Sequence, residues 1–107
     1  NWQTVMANLD GINGFEVVAS IKGKLGSGRY AMAHAIALST FGGRSSRNKI
    51  KNTHAYYGSF LNRFSFRWVG EMHNYELQVR TRRHYGVNEV DGQPYKIKFN
   101  VSRFFSE

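Results

Sequence analysis

Residues 60–85, FLNRFSFRWVGEMHNYELQVRTRRHY, read as two strands joined by a short connection. Phe64, Phe66 and Trp68 fall on one face of the first strand, with Ser65, Arg67 and Val69 on the other. In the second, Tyr75, Leu77, Val79 and Thr81 alternate with Glu76, Gln78, Arg80 and Arg82. Period-two alternation of aromatic and β-branched residues marks a half-buried strand. Gly70 and Asn74 bracket the turn, because both tolerate the positive φ of tight connections. The hairpin predicted here has an aromatic face for a core and a charged face carrying Arg67, Arg80, Arg82 and Glu76, with His73 and His84 near its ends.

Downstream, residues 86–93 are a turn region with Asp91-Gly92 as the strongest signal. Tyr95, Ile97, Phe99 and Val101 then alternate with Lys96, Lys98, Asn100 and Ser102 in a final strand that Pro94 introduces. Upstream, residues 44–62 are polar and basic and read as a surface loop or a short helix. In residues 29–41, Tyr30, Met32, His34, Ile36 and Leu38 alternate with Ala31, Ala33, Ala35, Ala37 and Ser39. Alanine favours a helix, but the alternation beside Gly26-Ser27-Gly28 favours a strand paired with residues 15–25. The all-alanine face would let another element pack very close. His34 sits in the apolar half of this alternation, the setting of a hydrogen-bonded, semi-buried histidine. Phe15, Val17, Ala19 and Ile21 form one face of the preceding strand, and Trp2, Val5, Met6 and Leu9 have helical spacing. The expected architecture is mainly β, within the α+β class. It is a small antiparallel sheet, curled or barrel-like, of about five strands with one or two short helices.

At 107 residues the chain makes one domain. It contains no cysteine, which removes disulfides, thiolate metal sites and thiol nucleophiles. No apolar run approaches the length of a transmembrane helix. Without an initiator Met or a signal pattern, the start Asn1-Trp2-Gln3 reads as that of a processed C-terminal module or fragment of a longer protein. The net charge is +8 with a pI near 10.1. It is concentrated in residues 44–107, where twelve Lys and Arg face five acidic residues. A basic half with interleaved aromatics is the footprint of a nucleic-acid partner, and an acidic protein or an anionic membrane fits the same charge.

The seven Asp and Glu nowhere cluster, which argues against a two-metal nuclease or a calcium site, and no metal or cofactor is expected. No nucleophile elbow, P-loop, dinucleotide fingerprint or H-E-x-x-H occurs. A glycosidase carboxylate pair stays open, with Glu71 and Glu76 as its candidates; the other open chemistry is that of a metal-independent ribonuclease. It needs a base for the 2′-hydroxyl, an acid for the leaving 5′ oxygen and cations for the phosphorane. His84, His54, Glu71, His73 and Tyr85 are the candidate catalytic residues. Arg67, Arg80, Arg82, Arg83 and Lys51 are candidates for phosphate, and Tyr57 for base stacking.

The hairpin Phe64–Tyr85 and the closing segment Val90-Asp91-Gly92-Gln93-Pro94-Tyr95-Lys96-Ile97-Lys98-Phe99 resemble C-terminal toxin modules of bacterial polymorphic toxins, of the contact-dependent-inhibition or Rhs kind, with a barnase/EndoU/RelE-like ribonuclease fold. The resemblance covers roughly the last 60 residues and lacks the paired histidine motif of the EndoU branch, leaving the catalytic roles open. It implies a secreted toxin used in bacterial competition, delivered to a target-cell cytoplasm, hydrolysing RNA without metal and neutralised by an acidic immunity protein. Two further readings stand beside it. One is a non-catalytic basic binding module for nucleic acid or an acidic protein; the other is a structural or assembly protein.

Overall fold

The computed structural model describes residues 2–41, 48–71 and 73–106. Among the described residues seven strands form two antiparallel sheets. They are β1 (Gln3–Leu9), β2 (Gly11–Lys22), β3 (Tyr30–Phe41), β4 (Lys49–Tyr56), β5 (Phe64–Glu71), β6 (Asn74–Thr81) and β7 (Lys98–Ser106). The three-stranded sheet has the order β1-β6-β5 and the four-stranded sheet the order β4-β3-β2-β7. A single 3-10 turn, Phe60–Asn62, is the only helical element among the described residues. No helix there is long and apolar enough to cross a membrane.

The mainly β expectation holds, with more strands and less helix than expected. Residues 30–41 are a strand, and the hairpin forms as its alternation predicts, with Phe64 opposite Thr81, Trp68 opposite Leu77 and Glu71 opposite Asn74. Residues 2–9 are extended rather than helical. Positions four apart share a face in a strand as well as a helix, so Val5 and Leu9 are buried either way. Register shifts between Thr4 and Met6 and between Met6 and Leu9 bring Met6 opposite Leu77 and Leu9 opposite Tyr75. Asn8 takes a φ of 56° in the second irregularity. The polar stretch read as loop or helix contains β4; of its basic residues, Arg44 and Arg47 lie outside the described part. Asn13-Gly14 lies within β2, where Asn13 is buried and its amide donates to the Asp10 carbonyl at 2.8 Å. The last strand starts at Lys98 rather than Pro94, since residues 94–97 make only an isolated bridge from Pro94 to Val87.

The core lies between the sheets. The four-stranded sheet contributes Phe15, Val17, Ala19 and Ile21 from β2 and the alanines Ala31, Ala33, Ala35 and Ala37 from β3. The other sheet contributes Phe64, Leu77 and Val79, flanked by Phe66, Trp68 and Tyr75. Phe41 stacks on Tyr75 at 3.8 Å and meets Trp68 edge-on at 5.2 Å, and Phe15 meets Trp68 at 6.0 Å. Across the core, β5 comes closest to β3, where methyl groups leave room for its aromatic side chains. The larger side chains of β3 therefore point outward. Met32, Ile36 and Leu38 are exposed there, with Ile12 and Val18 of β2 and Phe104 of β7 also exposed. His34 shares this outer face, 2.8 Å from Glu16, instead of the core edge.

This orientation of β3 is testable by urea unfolding. Ala35→Leu overpacks the interface and should cost about 1–3 kcal/mol. Ile36→Thr, on the outer side of the same strand, should stay within about 0.5 kcal/mol of the parent. A larger loss for Ile36→Thr than for Ala35→Leu would place the core on the other face.

Candidate nucleic-acid interface

Where β6 ends, Arg82 donates its backbone N–H to the Arg63 carbonyl at 3.0 Å, and the chain then turns toward the segment before β7. That segment is tied to β1 by one side chain. The Gln3 amide accepts from the Ile97 N–H at 3.1 Å and donates to the Ile97 carbonyl at 3.4 Å, taking the place of a strand partner. Between these elements opens a cleft of about 470 Å³ lined by Gln3, Arg80, Arg82, Arg83, His84 and Lys96, among others. No Asp or Glu lines it. None of its four Arg and Lys side chains forms an ion pair with a described carboxylate. A neighbouring cleft of about 670 Å³ shares Ile21, Pro94, Tyr95 and Lys96 with it and adds Lys22, Lys98 and the single acid Asp91.

Arg80, Arg82, Arg83 and His84 are thus brought together. His84 Nδ1 accepts from the Gly86 N–H at 3.0 Å. A ring nitrogen that accepts carries no proton, so the neutral ring holds its hydrogen on Nε2. His84 in this state donates a hydrogen bond, as a phosphate ligand does; taking a proton at Nε2 requires the other tautomer. Its backbone carbonyl accepts from Arg29 at 3.3 Å, which fixes the turn.

Tyr85 is beside the cleft but built into the core. Its hydroxyl donates to the Asn62 carbonyl at 2.6 Å, and burial pushes its pKa up to about 12. Asn62, also buried, donates its amide to the carbonyls of Tyr57 at 2.7 Å and Gly28 at 3.0 Å, so one buried pair joins three connections. Tyr57 itself is exposed and meets Tyr30 edge-on at 6.1 Å.

The remaining candidates are not among the residues that line the cleft. His54, opposite Ala33 on the edge strand β4, is half-buried. Its pKa is lowered by burial and by the charges of Arg63 and Arg82. Its Nε2 contacts Asn52 Oδ1 at 3.1 Å, while its buried Nδ1 has no hydrogen-bond partner. Glu71 and His73 sit at the hairpin turn, a strand length of about 25 Å from the cleft end of β6. His73, at a φ of 63°, lies 3.0 Å from Asp10 and clips this turn to the β1–β2 connection. Lys51 is opposite Ile36, on the outer face of the four-stranded sheet. Among the described residues no hydrogen bond or ion pair joins His84 to His54, His73 or Glu71, and no group of three His, Asp or Glu is placed to hold a metal ion.

Arg67 and Arg80 converge, but on an indole that the sequence reading missed. Their guanidinium carbons lie 4.1 and 4.4 Å from the Trp2 ring centre. Arg67 Nε donates to Gln78 Oε1 at 2.7 Å; Gln78 Nε2 and Thr4 Oγ1 donate to Glu76 at 3.0 and 2.5 Å. Those two hydrogen bonds, with the charge of Arg67, hold the Glu76 carboxyl below its usual range. The signal available in the sequence was the outward parity of Arg67 and Arg80; placing Trp2 beside them required the pairing of β1 with β6, in which Gln3 lies opposite Val79.

Comparison with protein-family models, with curated proteins and with solved structures finds no match to this chain.

Two outcomes follow from this geometry. Tyr85→Phe removes the donor to the buried Asn62 carbonyl and should lower unfolding stability by about 1–2 kcal/mol. His54 has a folded pKa below its unfolded value of 6.5, so the fold favours its neutral form. The associated stability is present above about pH 6.5 and is lost as pH falls toward the folded value. Urea midpoints between pH 7.5 and 5.5 should therefore fall less steeply for His54→Gln than for the parent chain.

Proposed function

We propose that the chain is a basic binding module that takes nucleic acid in the cleft beside His84. One observation carries this reading: Arg80, Arg82, Arg83 and Lys96 line a single cleft without a compensating carboxylate. Unpaired cations on one concave surface repel each other, and an anionic ligand relieves that repulsion while releasing its own counterions. The guanidinium fork suits phosphate oxygens, and the Nε2–H of His84 supplies a further donor.

A second reading, the metal-independent ribonuclease of a delivered bacterial toxin, draws its support from His84 standing among three arginines. It requires His84 to leave its hydrogen bond to Gly86, and a partner acid or base to reach the cleft from outside the described constellation. The hydrogen bond favours the binding reading.

Both are tested by titrating the chain into labelled single-stranded RNA at several salt concentrations. Four neutralised phosphates predict a slope of log K against log salt near −3, from about −0.7 per phosphate on a single strand. Arg82→Ala combined with Arg83→Ala should weaken binding and flatten the slope, whereas Lys51→Ala on the opposite sheet face should change neither. Binding that ignores salt would sink the proposal. The same mixtures held in EDTA and resolved for cyclic-phosphate ends report on the ribonuclease: cleavage that His84→Ala abolishes would put it first.

A further inference from the structure

We propose that Trp2 is a stacking platform for a nucleobase, making single-stranded nucleic acid the ligand class of the cleft; this rests on the polyanion-binding reading above. Trp2 lies outside the hydrophobic core, unlike Trp68, which contacts Phe15 and Phe41 inside it. Its ring sits against Arg67 and Arg80, residues of the outer face of the three-stranded sheet, and stays partly accessible to solvent. The support beneath is ordered. Thr4 and Gln78 converge on Glu76, and Gln78 in turn accepts from Arg67, so the guanidinium that covers the indole is positioned from three strands.

Position then joins this indole to the cleft. Gln3, its chain neighbour, and Arg80, its ring contact, both line the cleft wall. A strand whose phosphates run past Arg82 and Arg83 and reach Arg80 has its next base at the indole. Stacking on an aromatic ring is indifferent to base identity but needs an exposed base face, which a duplex hides. The cations here have a double use: a guanidinium against an indole strengthens the platform, and the same group carries charge toward phosphate.

The test uses intrinsic tryptophan emission of the full chain, with a 12-residue oligouridylate, an RNA duplex of equal phosphate count and heparin as probes. Oligouridylate should quench the emission, and heparin should bind without quenching it. Trp2→Ala should weaken oligouridylate binding roughly tenfold, in line with the loss of one stacked base, while its heparin affinity stays unchanged. Trp2→Phe, which keeps an aromatic face, should retain most of the oligouridylate affinity and lose the quenching, since Trp68 alone remains to emit. Far-UV circular dichroism of both variants that matches the parent shows that they are folded. If Trp2→Ala binds oligouridylate as tightly as the parent, or if duplex binds better than single strand, the platform is overturned and the polyanion reading survives. Failure of every probe to bind overturns both.

Discussion

The fit between an alanine face and an aromatic face sets everything else in this structure. On β3, Ala31, Ala33, Ala35 and Ala37 present methyl groups to the core, while Phe64, Phe66 and Trp68 of β5 fill the space opposite. Burial is strongest where small and large side chains interdigitate at close-packed density. Bulky residues on both inner faces would force the sheets apart and leave voids at the edges. With this pairing the two sheets meet closely enough for Phe41 to stack on Tyr75 and for one tyrosine–asparagine pair to lock the connections at the end of the sandwich. The turns that carry Arg82, Arg83 and His84 are held by that lock and by the Arg63–Arg82 backbone bond, so the cleft inherits its shape from the core.

Much of the fold was legible because a strand's period of two is written directly into residue order. The hairpin of β5 and β6, the β2–β3 pair and the strand character of residues 30–41 all follow from alternation. What alternation cannot say is which of two opposite faces is buried. In β3 the bulkier residues look like the core on hydrophobicity alone, yet the choice depends on the volume already supplied by the facing sheet, a property of the whole fold. The β1 strand was hidden for a different reason: its buried residues Val5 and Leu9 are four apart, a spacing that shares one face in a strand as well as in a helix. β4 was hidden because an edge strand with lysines and asparagines has little apolar pattern to read.

The candidate site was legible in part for the same reasons. Arg80, Arg82, Arg83 and His84 are close in sequence, so any compact arrangement of residues 80–84 keeps them together. Lys51, Glu71 and His73 share their chemistry but reach other surfaces, since residue type carries no information about sheet face or turn. Arg67 fell between these cases: its face was predictable and its partner was not. Tyr85 shows the limit of reading chemistry from residue type, because its hydroxyl holds the fold together from a buried position.

The outward turn of Met32, Ile36 and Leu38 has a colloidal consequence. These side chains, with Ile12, Val18 and Phe104, put exposed apolar area beside Glu16, His34 and Lys51 on one sheet face of a chain whose net charge is +8. Apolar area draws copies together, and like charge holds them apart over a distance that shrinks as salt is added. The two tendencies are balanced on the same small body, so its solubility is a function of ionic strength. An anion that cancels the positive charge weakens the repulsion without touching the sticky face, and the cation-rich cleft then governs how freely the molecules stay dispersed.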